Sequence, residues 1–96
     1  MKAFKEVKDS NIDLLNQYVP IVKRVHGSEH PEFIEVARVF EDLSKKLGTD
    51  DFENLKPLFM ELREITNNYQ VPSDVCESYE AVYVNLEILD KAYFKI

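Results

Sequence analysis

The sequence predicts an all-α protein, an up-down-up-down antiparallel four-helix bundle in a single domain over residues 1–96. Three observations carry that expectation. Apolar residues recur at helical spacing through most of the chain, and no stretch alternates with a period of two for long enough to make a strand. Two clusters of turn residues interrupt the pattern, Val25-His26-Gly27-Ser28-Glu29-His30-Pro31-Glu32-Phe33 and Thr66-Asn67-Asn68-Tyr69-Gln70-Val71-Pro72-Ser73-Asp74. Connections this short make consecutive helices antiparallel neighbours.

Taken in order, the first eight residues are lysine-rich and without clear period, which predicts a frayed lead-in. The first helix is expected over 10–26, with Asp9 or Ser10 as N-cap and Ile12, Leu15, Tyr18, Val19, Val22 and Val25 as its stripe. Pro20 lies inside it, removes one backbone bond and should bend it locally. Gly27 reads as the left-handed stop after that helix. Pro31 opens the second helix, 31–47, with Ser28 or His30 as cap and Glu32 in the acidic first turn. Its stripe is Phe33, Val36, Ala37, Phe40, Leu43 and Leu47, and Gly48 reads as its stop. Pro57 is tolerated only in a first turn, so the third helix is expected over 54–69, with Leu55, Leu58, Phe59, Leu62, Ile65 and Tyr69 inward. The fourth, 73–94, takes Ser73 as N-cap and carries Val75, Cys76, Tyr79, Val82, Tyr83, Leu86, Leu89 and Tyr93.

Composition bounds the function. The chain is 45% hydrophobic and 31% charged with a net charge of −6, which disfavours nucleic acid and anionic membrane as partners. No apolar run approaches the ~20 residues of a membrane span. The segment Met1-Lys2-Ala3-Phe4-Lys5-Glu6-Val7-Lys8 lacks the apolar core of an export signal. A single cysteine, Cys76, excludes an intramolecular disulfide and a Cys-pair zinc site. A cytoplasmic location is the plain expectation.

The residues that can do chemistry are few. His26-Gly27-Ser28-Glu29-His30 spells His-x-x-Glu-His, but zinc chemistry needs both histidines on one helical face, and Gly27 and Pro31 break the helix through the motif. His26, Glu29 and His30 are therefore only weak metal candidates, with a turn role expected instead. The acidic pairs Glu32 with Glu35, Glu61 with Glu64, and Glu77 with Glu80 lie off the apolar stripes, and none has a histidine three positions on, as a di-iron bundle requires. Cys76 falls on the apolar stripe near a helix start, where a buried structural thiol is expected. No phosphate loop is present, and no catalytic set is indicated.

Val22-Lys23-Arg24-Val25-His26-Gly27-Ser28-Glu29-His30-Pro31-Glu32-Phe33, followed by Val39-Phe40-Glu41-Asp42-Leu43, resembles the iron–sulfur-cluster repair proteins of the RIC type. Leu62-Arg63-Glu64-Ile65-Thr66-Asn67-Asn68-Tyr69, then Pro72, Cys76, Tyr79, Ala81, Tyr83, Leu86 and Leu89, is similar to the third-to-fourth-helix region of the same family. The two blocks keep the family's order and cover most of residues 18–93. The resemblance implies a hemerythrin-like bundle related to proteins with a non-haem di-iron centre. That family holds iron with histidines from all four helices and two bridging glutamates, and these do not carry over. The third-helix histidine falls at about Phe52, the second helix's His-x-x-x-Glu near Asp50 and Asn54, and the fourth-helix histidine at about Ile96. The first-helix segment has no histidine. The resemblance thus implies a repair bundle shortened at its metal end, with no cofactor, and His26 and His30 as turn residues of the retained end.

Two further surfaces stand out. Ala81, Val84, Ile88 and Ala92 recur on the face of the fourth helix away from its core stripe, which predicts burial on two sides and hence a homodimer. Phe52 and Tyr93, at the shortened end, are candidates to line a small-ligand pocket. The favoured function is a non-catalytic interaction or regulatory module binding itself or a protein partner. The alternative is a metal-binding stress protein, iron or zinc, using His26, Glu29 and His30.

Overall fold

A computed structural model of the chain describes residues 2–95; Met1 and Ile96, and with Ile96 the expected fourth-helix ligand position, lie outside the described residues. Four helices account for the fold: α1 (Lys2–His26), α2 (Pro31–Gly48), α3 (Lys56–Thr66) and α4 (Glu77–Phe94). No strand occurs among the described residues, and none of these helices is long and apolar enough to cross a membrane.

The lead-in is not frayed. α1 begins at Lys2 rather than near residue 10, and Phe4 is buried in the core. Two local effects conceal this start in the sequence. The stripe running from Phe4 to Leu15 contains Lys8, which is buried with its amine 3.1 Å from Asp50 Oδ1 and 2.6 Å from Asp9 Oδ1. The apparent cap Ser10 is spent inside the helix: it donates to the Glu6 carbonyl at 3.0 Å, as its neighbour Asn11 does to that of Val7 at 2.7 Å, bonds made within a helix already under way. α1 continues through Pro20 as one helix. Pro20 is exposed and borders a groove of about 550 Å³ between α1 and α2, whose floor is Val19, Ala37 and Phe40.

Gly27 is not left-handed. Its lack of a side chain serves close approach: a Cβ there would stand 2.4 Å from the Lys23 carbonyl oxygen and 3.4 Å from Ile34 Cγ1. Neither Ser28 nor His30 caps α2 through its side chain; His30 occupies the N-cap position while Pro31 supplies the first turn. Gly48 closes α2 as its last helical residue, and the left-handed position falls at Asp50 instead, with φ 53°.

α3 places Pro57 in its first turn as the proline rule requires, but ends at Thr66. Asn67, Asn68 and Tyr69 follow with φ 52°, 61° and 63°, three successive left-handed residues that end the helix, the Asn68 N–H donating to the Arg63 carbonyl at 2.8 Å. Asn tolerates that conformation. Tyr69 is held in it by Thr66 Oγ1, which accepts its N–H at 2.7 Å. α4 starts at Glu77, not Ser73; Cys76 is its N-cap, and residues 74–76 are tied to the α1–α2 turn by side chains described below.

Packing joins α1 to α4 and to α2, and α2 to α3. Phe4 meets Tyr93 (ring centroids 5.5 Å) at one end of the α1–α4 pair and His26 meets Tyr79 (5.6 Å) at the other. Asn16 accepts from Ser44 across α1 and α2 at 2.8 Å, and Arg38 bonds Glu61 across α2 and α3. α3 and α4 meet through long side chains, Phe59 with Tyr93 (5.3 Å) and Arg63 with Asp90. The shared core includes Leu15, Val22, Phe33, Val36, Leu43, Leu62, Val82 and Leu86, all buried. Removing this apolar surface from water drives the assembly.

Candidate functional site

The two histidines lie where α1 ends, α2 begins and the segment before α4 passes. His26 is half-buried, its Nε2 3.1 Å from Cys76 Sγ, a contact in which either atom can donate. Cys76 is exposed, which corrects the expectation of a buried thiol: as N-cap it stands one step outside the apolar stripe. His30 is clamped by two carboxylates, Nδ1 at 2.8 Å from Glu32 Oε1 and Nε2 at 3.2 Å from Asp74 Oδ1. Both nitrogens are set to donate, so the charged ring is favoured. The hydrogen bond to Glu32 is the main cause of a pKa raised above 6.5. For Glu32, burial pushes upward, but its own backbone N–H, His30 and the Tyr79 hydroxyl at 3.2 Å together hold the carboxyl below 4.5. Burial, with the hydrogen bond to Tyr83 at 3.1 Å, raises the Tyr79 phenol far above its usual range, so it stays a neutral donor.

These groups form a clasp. The His26 and His30 ring centroids are 6.4 Å apart, and Glu29 is exposed beside them. Among the described residues no three His, Cys, Asp or Glu side chains gather where one ion could be held. What the arrangement does chemically is fasten residues 74–76 to the α1–α2 turn.

The opposite end gathers the start of α1, the α2–α3 connection and the end of α4. Here aromatic rings interlock. Phe4 stands edge-on to Phe52 at 5.1 Å and to Tyr93 at 5.5 Å, and Phe59 packs on Tyr93 at 5.3 Å and Phe94 at 6.2 Å. Phe52 and Tyr93 therefore do not face one another across an open pocket; Phe4 packs against both, and the Tyr93 hydroxyl donates to the Phe52 carbonyl at 3.4 Å. This is the end at which the resemblance puts a di-iron centre, and its residues do not fit one. Phe52 offers no donor atom, Asp50 is engaged by Lys5 and Lys8, and Asn54 sits in a left-handed turn with φ 62°.

One polar centre escapes the sequence reading. Asp90 is 1% exposed on the inner face of α4. It accepts from Arg63 Nε at 2.9 Å and Nη2 at 2.5 Å, a two-pronged pair, and from the Tyr69 hydroxyl at 2.6 Å. The signal was present: Asp90 lies four and seven residues beyond Leu86 and Tyr83, on their face, opposite the arginine of α3. Burial and this hydrogen bond raise the Tyr69 phenol well above its normal range. Arg63 also covers the Phe94 ring at 4.6 Å.

Of the expected self-contact residues, Val84 and Ile88 are exposed, while Ala81 and Ala92 are half-buried. No family model matches the chain, and no solved structure matches it. The functional conclusion rests on the residues themselves.

Proposed function

We propose that this chain is a non-catalytic, hemerythrin-like helical bundle of the iron–sulfur-cluster repair lineage, kept as an interaction or regulatory module after its di-iron donors were replaced. The contacts support an up-down-up-down arrangement, since they set the starts of α1 and α3 beside the ends of α2 and α4. The observation that carries the proposal is the filling of that end by Phe4, Phe52, Phe59 and Tyr93. Apolar rings at these positions give cohesion where a metal site would need imidazole and carboxylate. A metal site about His26, Glu29 and His30 would have to displace carboxylates from both nitrogens of His30.

Ligand linkage tests this. A metal that binds the folded state alone raises the unfolding midpoint in proportion to the logarithm of its concentration. Ferrous iron or zinc, added anaerobically to chelator-washed and untagged protein, should leave the midpoint where it was. A rise that grows with the logarithm of the metal concentration and is abolished in Asp50→Asn or His30→Gln protein would overturn the proposal.

A further inference from the structure

The outward face of α4 carries an apolar centre between unlike charged ends. Glu77, Ala81, Val84, Ile88, Lys91 and Lys95 follow one another by alternating steps of four and three, the spacing that aligns one side of a helix with a partner helix. Val84 and Ile88 are 44% and 42% exposed although the opposite side of α4 is core. Among the described residues no intrachain ion pair engages Glu77, Glu80 or Lys95, and Lys91 has only Glu87 of its own helix at 3.7 Å.

α1 widens this strip. Asn16 and Pro20 mark the side of α1 that faces α2, so Ile21 and Val25, across the core line from them, lie on the α4 side. They are 38% and 59% exposed. On α4, Asp90 and Phe94 mark the side toward α3, which leaves Ala81, Ile88 and Ala92 toward α1. The two sets adjoin along the α1–α4 boundary.

We propose that this face binds a second copy of the chain, with the two α4 helices antiparallel about a twofold axis at the level of Leu86. That register sets Val84 against the partner's Ile88, Glu77 against the partner's Lys95, and Glu80 beside the partner's Lys91. Parallel pairing would instead oppose Glu77 to the partner's Glu77 and Lys95 to the partner's Lys95. A chain of net charge −6 repels its own copies in general, so self-association needs local complementarity. The α4 strip supplies it from one surface, as a twofold contact demands. The inference rests on the interaction-module reading and gives that module its partner and its face.

Sedimentation equilibrium tests it. The wild-type chain should form a dimer. Val84→Glu/Ile88→Glu should be monomeric with unchanged helical circular dichroism. Glu77→Lys/Glu80→Lys and Lys91→Glu/Lys95→Glu should each raise the dissociation constant roughly tenfold or more, since like charges then face each other. The fourfold variant carrying both reversals should return toward wild type, which parallel pairing could not produce. A wild-type chain that stays monomeric, including one that binds only an unrelated protein through this face, overturns the proposal while leaving the module reading intact. So does a dimer insensitive to these changes. Bound iron would overturn the module reading without altering the sedimentation result.

Discussion

Asp90 shows how much a single buried charge can organise. Its carboxylate joins α4 to α3 through Arg63 and to the left-handed turn through Tyr69. Arg63→Ala would leave that carboxylate with one neutral donor, and unpairing a buried charge costs about 3–5 kcal/mol. Arg63 is itself about one-third exposed, which admits water to the pair, so a loss of about 2–3 kcal/mol in urea unfolding is expected. A loss within error would show that the pair is not held in solution. His30 makes a second prediction at this scale. The folded chain binds the imidazolium more tightly than the unfolded one, so its contribution is complete below pH 6.5 and is lost as pH rises through the raised value. Glu32 works in the opposite sense, contributing above pH 4.5 and failing as pH falls through its depressed value. Stability should decline on the alkaline side of 6.5, and His30→Gln should flatten that decline. An unchanged slope in the variant would reject the clasp.

At the scale of elements, the helical period reveals the core and misplaces the ends. Phe33, Val36, Phe40, Leu43, Leu62, Tyr79, Val82, Leu86 and Leu89 all point inward as their spacing requires. Boundaries fail wherever a polar side chain finds a partner distant in sequence. Lys8 looks solvated until Asp50 stands beside it, and so Phe4 is read as part of a tail. Ser73 looks like a cap, but the Asp74 tie to His30 and the Cys76 contact with His26 hold residues 73–76 outside the helix. Tyr69 keeps the helical period yet takes a left-handed conformation, held by the Thr66 hydroxyl at its N–H and by Asp90 at its phenol. The candidate site is legible only in part for the same reason: the histidines are visible in the sequence, whereas Glu32, Asp74 and Tyr79 around them are fixed by tertiary contact. Phe4→Ala measures the first of these effects. Emptying a buried phenylalanine site costs about 3–5 kcal/mol, whereas a frayed segment would register almost nothing in the same unfolding experiment.

On the scale of the whole molecule, the two ends are built from different chemistry. One is a polar clasp of His26, His30, Glu32, Asp74 and Tyr79; the other is a stack of rings about Phe4 and Phe59. Both close the bundle, and the α1–α4 face carries the exposed apolar strip through which the module would act. Elemental analysis of untagged protein, grown with ample iron and purified anaerobically without chelator, tests the central claim most directly. The aromatic end predicts iron far below one equivalent per chain. Two iron atoms per chain, retained through gel filtration, would contradict it.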